Sequence, residues 1–508
     1  MHPLFLLFLL GLTTYFIVQR VSSVTRTPTW LLWAVAMMPA FIWSGWAIAN
    51  GGRRVTPPAY LVIIPLVVCL VLYWFLIQWG RIPANAGDRD RSDAPTASEP
   101  KTEPLKDAPI LKPIDQSEER DLQTCFPWSI YYLQDIEYRP QAVICRGQLR
   151  SKPEVAYQTI RENVEEHFGD RFLVVFQEGA NGKPFFALVT NPYSKQAAGQ
   201  LSRDLPARPV LALSLLVITF CTTCFAWLQI AGKMGAGDQS PPFSPDLVIQ
   251  GLPYALSLLL ILGAHELAHY LTARRYHIRA TLPYFIPVLP LPWFPFGTFG
   301  AFIQLRSPIP NRKALFDVGI SGPITGFLLA LPLLIWGLAH SEVVPMPQQP
   351  ELFNFQAFDP KFSLLLTVLS KLMLGGVLTA ETAIKMHPVA VASCLGLVVT
   401  AFNLMPVGQL DGGHIVHAML GQRAGAVVGQ ISRLLLLLLS FAQRYLMLWA
   451  IILFLMPAND EPALNDITEL DNRRDLWGIA SLAILLLIIL PAPAPLTKLL
   501  NIGTTILK

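Results

Sequence analysis

With 508 residues, 53% hydrophobic and only 14% charged side chains, and a mean hydropathy of +0.46, the chain has the make-up of a polytopic membrane protein. It is too apolar for one water-soluble core. A net charge of +4 is too small to suggest nucleic acid as a partner.

The first apolar run, Leu4 to Val18, lacks a positively charged start and reads as a membrane helix rather than a cleaved signal. Two more spans are predicted at Trp30–Ala49 and Tyr60–Trp79, giving an N-terminal membrane region over 1–80. Residues 81–120 are rich in Pro, Asp, Ser, Lys and Glu and read as a disordered linker. Residues 121–207 change character. Ile130–Leu133 and Gln141–Cys145 read as strands and Pro153–His167 as a helix. Arg171–Gln177 and Pro184–Thr190 read as strands joined by Gly179-Ala180-Asn181-Gly182. This predicts a small α+β soluble domain of ferredoxin-like type, without a catalytic constellation and suited to binding or regulation. His167 stands alone in it and reads as a surface residue. Cys125 and Cys145 fall in this domain and could pair only in an oxidising compartment.

From 208 to 508 apolar spans are predicted at about 209–231, 248–273, 317–339, 363–380, 388–405, 425–441, 444–457 and 476–491. The fourth is interrupted by Lys371 and reads as partial or re-entrant. Cys221 and Cys224 form a CxxC inside the first of them and read as small helix residues. Residues 282–302 are apolar but too rich in Pro and Gly for one helix.

The second of these spans ends in His265-Glu266-Leu267-Ala268-His269. Charges at membrane depth cost about 3 kcal/mol each on insertion scales, so ionisable groups there point to function. Four-residue spacing stacks His265 and His269 on one helix face, where they can share a metal ion. Glu266 lies roughly 100° around the helix, beside that face, placed to act on water. Catalytic zinc takes three protein ligands. The other conspicuous charge in apolar surroundings is Asp411, in Asn403-Leu404-Met405-Pro406-Val407-Gly408-Gln409-Leu410-Asp411-Gly412-Gly413-His414. Pro406 and Gly408 break a membrane helix there, and broken helix at that depth must line a cavity or pack on protein. Asp411 is thus either the third ligand or the cap of the next helix.

These two motifs, HExxH and NxxPxxxLDG, resemble those of the site-2 protease family of intramembrane zinc metalloproteases. Gly297–Ala301, Asn311–Lys313 and Asp317–Pro323 look like its EGY-type subgroup of chloroplasts and cyanobacteria. Arg146-Gly147-Gln148-Leu149-Arg150 looks like that subgroup's GNLR element, with Gln148 in place of asparagine. The resemblance covers roughly residues 120–480. It implies a site-2-protease-like helical core over 208–508 with the small α+β domain inserted before it. It implies Zn2+ held by His265, His269 and Asp411, with Glu266 as general base and acid. It also implies that Asn403 is an oxyanion donor and that a β element near 282–302 binds substrate. The substrates implied are transmembrane proteins in the lipid bilayer, unwound locally for cleavage. The membrane implied is a thylakoid, plasma or chloroplast membrane.

Arg274, Arg275, Arg279, Arg306, Arg312 and Lys313 follow the HELAH helix, whereas the 339–360 loop carries only acidic charges. The C-terminal end of that helix is therefore expected at the cytoplasmic or stromal face. The acidic stretch 459–475 reads as solvated, with no function required of it. His414, three residues after Asp411, reads equally as a neighbour of the site or a surface residue. Two rival readings remain: a ZIP-type metal transporter, which should show a second histidine-bearing helix at matching depth, and an inactive scaffold of the same fold.

Overall fold

The computed structural model describes residues 27–49, six isolated positions between 65 and 76, residue 114, and residues 116–139, 142–179, 182–192, 209–232, 245–290, 295–346, 355–379, 381–442, 446–457 and 460–502. The run Leu4–Val18, most of Tyr60–Trp79 and nearly all of the 81–120 linker lie outside these. The chain divides into two units, Met1–Lys106 and Asp107–Lys508. In the first, helix α1 (Thr29–Ala49) carries Pro39 within it, and the Thr27 hydroxyl donates to the Leu76 carbonyl at 2.8 Å.

The second unit opens with an α+β domain. Helix α2 (Gln116–Thr124) leads to β1 (Tyr131–Arg139) and β2 (Ala142–Leu149), then α3 (Pro153–Phe168), β3 (Phe172–Glu178) and β4 (Pro184–Thr190). The sheet order is β1-β2-β4-β3 and every pairing is antiparallel. This corrects the ferredoxin-like expectation. That fold joins its first two strands through a helical crossover, whereas here β1 turns directly into β2 and the first crossover is α3. Ala156, Tyr157, Ile160 and Val164 of α3 are buried at helical spacing. Phe186 stacks on its cross-strand partner Phe176 at 4.1 Å and meets Tyr131 edge-on at 5.0 Å. Cys125 and Cys145 are both buried free thiols. Burial pushes the Cys125 thiol up to about 11 and Cys145 to about 12.

Beyond it come α4 (Pro209–Ile230), α5 (Pro245–Arg275), the strands β5 (Tyr284–Pro287) and β6 (Thr298–Phe302), and α6 (Arg312–Ala339). Then follow β7 (Glu342–Pro345), α7 (Leu364–Leu374), β8 (Thr382–Lys385), α8 (Pro388–Asn403), α9 (Asp411–Leu420), α10 (Gln422–Ala442), α11 (Met447–Leu455), α12 (Asn472–Ile489) and α13 (Ala494–Leu499). Among the described residues, four helices are long and apolar enough to cross a membrane. They are α4, α5, α6 and α10. The run at 363–380 is not a full span: α7 has 11 residues, about 16 Å of helix against a hydrocarbon core of about 30 Å. Gly375 ends it with φ +59°, and Lys371 donates to the Leu378 carbonyl just beyond. Helix α6 begins five residues earlier than the apolar pattern suggests, because the Asn311 side chain caps it by accepting from the Ala314 amide.

Helices α5, α6 and α8 pack on one another, α4 flanks α5, and α9 lies on α6. The reason is legible along α5. Tyr254, Leu258, Ile261 and Leu262 form a buried stripe at spacings of three and four that continues into His265, His269 and Ala273. Leu256, Leu260, Leu267 and Leu271 point outward and are exposed. The ionisable groups therefore face the bundle interior, as membrane depth requires. The irregular run at 282–302 is the β5–β6 hairpin, packed beside α4.

Phe186→Ala removes the ring shared by this aromatic cluster and should cost about 3–5 kcal/mol. Amide exchange across β3 and β4 of the full chain should then speed up strongly; unchanged exchange would show that the cluster does not hold the domain.

Candidate metal centre

Helix α5 presents His265 and His269 inward, both buried. Nδ1 of His269 lies 2.7 Å from the Val318 carbonyl oxygen on α6. A carbonyl only accepts, so Nδ1 carries the proton and the Nε2 lone pair is turned toward the centre. Nε2 of His265 lies 3.1 Å from that Nε2. Oδ2 of Asp411 stands 3.3 Å from each of the two nitrogens. A tetrahedral ion with donors at about 2.0–2.1 Å spaces them by roughly 3.3–3.4 Å. The three donor atoms thus form the face of such a tetrahedron. His265, His269 and Asp411 are the group of three able to hold a metal ion among the described residues. Asp411 Oδ2 is buried without a hydrogen bond, a state that costs a carboxylate several kcal/mol unless a cation compensates it.

The capping alternative for Asp411 is set aside by position. Leu410 occupies the N-cap of α9 and Asp411 is the first residue inside the helix. What brings it there is the chain just before. The α8 helix ends at Asn403, and residues 404–410 fold back so tightly that a side chain on Gly412 would lie 2.0 Å from the Leu404 carbonyl oxygen. Only glycine fits after the aspartate.

Glu266 is buried, its Oε1 4.0 Å from His265 Nε2. Asn403, from the last turn of α8, places its Nδ2 at 3.2 Å from His265 Nε2. All five sequence-predicted residues therefore meet in one place, drawn from α5, α8 and α9. The arrangement offers three metal donors, a carboxylate able to move a proton, and a neutral amide donor.

Two contributions escaped the sequence reading. One is the Val318 carbonyl, a backbone group that no side-chain pattern reveals. The other is Gly322 of α6: a methyl there would lie 2.2 Å from His269 Nε2. Its only signal was its place in the Asp317–Pro323 run. His414 is half-buried and meets Asp460 at 2.8 Å, so it is neither a ligand nor a free surface residue. The expectation for 459–475 is overturned in part: Asp460 and Asp466 are buried, and both bond to His417.

Residues 253–443 match peptidase family M50, and residues 120–197 match the EGY3 middle domain. Among similar proteins are two named probable zinc metalloprotease EGY2, chloroplastic. The one from Oryza sativa subsp. indica is 28% identical over 73% of this chain and 65% of its own length. That from Arabidopsis thaliana is 29% identical over 73% and 64%. Arabidopsis thaliana probable zinc metalloprotease EGY1, chloroplastic, is 28% identical over 72% and 68%. The match thus spans slightly less than two thirds of the EGY2 proteins. No solved structure matches.

Gly322→Ala should push the His269 ring off the shared centre and lower metal affinity by about 10-fold or more, with amide exchange in α5 and α6 little changed. Competition with a chelator measures it; parent-like affinity would show that the ring accommodates the methyl. Residues 253–443, which carry the helices of the metal centre, thus match peptidase family M50, and the α+β domain matches the EGY3 middle domain, a pairing that supports a metalloprotease similar to the EGY proteins.

Proposed function

We propose that this chain is an intramembrane zinc metalloendopeptidase that hydrolyses peptide bonds in or near transmembrane segments of membrane proteins. The observation that carries this is the meeting of two imidazoles and a carboxylate with Glu266 and Asn403 inside an apolar helix bundle. The relatives' names support zinc as the ion.

His265, His269 and Asp411 would hold the ion, which when bound supplies Lewis acidity and acidifies a water molecule toward pKa ~7. Glu266 takes the proton from the attacking water and hands it to the departing nitrogen, acting first as base and then as acid. Asn403 Nδ2 donates to the oxygen on which charge develops. A helical substrate hides its carbonyls in its own hydrogen bonds, so it must unwind before attack. The β5–β6 hairpin offers strand-like backbone on which an unwound segment is held extended. Its exposed Phe299 and Phe302 suit an apolar segment. Tyr254 donates to the Phe296 carbonyl and Thr222 to the Gly297 carbonyl, which fixes the start of β6 against α4 and α5.

The lipid bilayer is the expected surrounding, and the chloroplastic relatives support a chloroplast membrane. No observation favours a plasma-membrane or cyanobacterial alternative. Nothing favours the transporter either: His340, stacked on Trp336, ends α6, and His387, edge-on to the same ring, caps α8, so both sit at helix ends.

Glu266→Gln should reduce cleavage of a transmembrane reporter peptide by the purified protein about 10²–10⁴-fold while bound zinc stays at the parent level. Cleavage by Glu266→Gln at the parent rate would contradict the proposal. A parent that holds zinc without turning over any transmembrane reporter would point to the scaffold reading.

A further inference from the structure

The segment between α11 and α12 joins the α+β domain to the helix that carries Asp411. In the sheet order β1-β2-β4-β3, β3 is an edge strand, and an unpaired edge invites another segment. Asn465 fills it as an isolated parallel bridge to Phe176. The Phe176 amide donates to the Leu464 carbonyl at 2.7 Å, and the Asp466 amide donates to the Phe176 carbonyl at 2.9 Å. On its other side the same segment bridges to Asn311. There the Leu464 amide donates to the Ile309 carbonyl at 2.9 Å and the Asn465 amide to the Pro310 carbonyl at 3.0 Å. Leu464 and Ile467 pack on the core of the α+β domain.

The acidic side chains of this clasp reach the other way, to α9. His417 of α9 is buried with a carboxylate on each ring nitrogen: Nδ1 at 2.8 Å from Asp460 Oδ2 and Nε2 at 2.9 Å from Asp466 Oδ1. Two acceptors on one imidazole require both nitrogens protonated. Burial alone would lower the pKa of His417; the bonds to Asp460 and Asp466 outweigh it and raise it to about 9. His414, one turn earlier, bonds to the same Asp460 oxygen. Buried Arg312 of α6 donates to the Ala418 carbonyl of α9 at 2.8 Å. Asp466 is therefore the link: its backbone belongs to the edge of β3, and its side chain grips the helix whose first residue is Asp411. The rest of the junction is a polar cleft lined by Glu154, Arg161, Glu165, Pro310 and Lys313. The ion pair that crosses it among the described residues, Lys313–Glu154, is long at 3.5 Å and exposed, and such pairs contribute little.

We propose that His417, clamped by Asp460 and Asp466, is a positioning residue for the metal ligand Asp411, and that through Asp466 the docking of the α+β domain on segment 464–466 sets how tightly the centre holds its metal. This rests on the metal-centre reading above. Helix α9 is only 10 residues long, so a grip on its second turn fixes the carboxylate at its start. Coupling of this kind is reciprocal: if docking tightens the metal, the metal must tighten docking.

The test uses the full chain in detergent with zinc as the probe. Zinc affinity is measured by chelator competition for the parent, His417→Gln and Asp466→Asn, beside peptide-level hydrogen exchange with and without zinc. Both variants should bind zinc about 10-fold or more weakly, with exchange in α5 and α8 as in the parent. Zinc should slow exchange at β3 and at 464–466 in the parent, and this effect should vanish in the variants. A merely structural role for His417 would not produce that zinc-dependent protection some distance from the ligands. Parent-like zinc affinity in both variants, or zinc-independent exchange at β3 in the parent, would overturn the proposal. A parent that binds no zinc would overturn the metal-centre reading itself. Should His417→Gln disturb the bundle, Asp466→Asn, which keeps an acceptor for His417, decides by the same two readouts.

Discussion

Everything in this molecule turns on the cost of a lone carboxylate inside an apolar bundle. Asp411 Oδ2 is buried, lacks a hydrogen bond, and faces two imidazole nitrogens at 3.3 Å. Such a group is tolerated only if a cation compensates it. The helices around it are shaped by that demand. Helix α5 turns its histidines inward along the same stripe as its core leucines, α6 gives up a side chain at Gly322 to admit one ring, and α8 breaks so that α9 can begin at the aspartate. Close packing makes this costly to disturb, because a single methyl at 322 has nowhere to go.

The centre is held from two directions. Within the bundle, the Val318 carbonyl fixes the tautomer of His269. At the end where α5 finishes, Arg474 of α12 grips Asp317 of α6 through both carboxylate oxygens, at 2.8 and 2.7 Å, and the Tyr276 hydroxyl donates to the same group at 2.5 Å. Paired contacts of this geometry bring specificity as well as energy. The clasp at 460–466 works beside them on α9. This segment bonds the α+β domain with its backbone and α9 with two acidic side chains, and so joins that domain to the helix that begins at Asp411.

Much of the site could be read from the sequence because its chemistry is local. HExxH fixes three groups within five residues, and Pro406, Gly408 and the paired glycines mark a broken helix around Asp411. Asn403, by contrast, was reached through family resemblance. The boundaries of α3, β4, α4 and α8 followed from periodicity and flanking prolines. What the sequence hid is long-range. Asp460 and Asp466 sit in a polar, proline-containing stretch that composition assigns to solvent, and their partner His417 lies more than forty residues away. Their burial follows from that pairing, which no local pattern encodes. The sheet order was missed for the same reason: strand propensity places β1 to β4, but whether a helix or a tight turn joins the first two decides the topology. The partial character of the 363–380 run was legible from Lys371, but hydropathy does not register Gly375 as its stop.

The account stands on one ion at one place. X-ray absorption at the zinc edge of the purified protein tests it most directly. It should show one zinc with only nitrogen and oxygen neighbours at about 2.0–2.1 Å, two of them imidazoles, and Asp411→Asn should change that spectrum and weaken binding. No zinc, a sulfur neighbour, or a spectrum indifferent to Asp411 would contradict it.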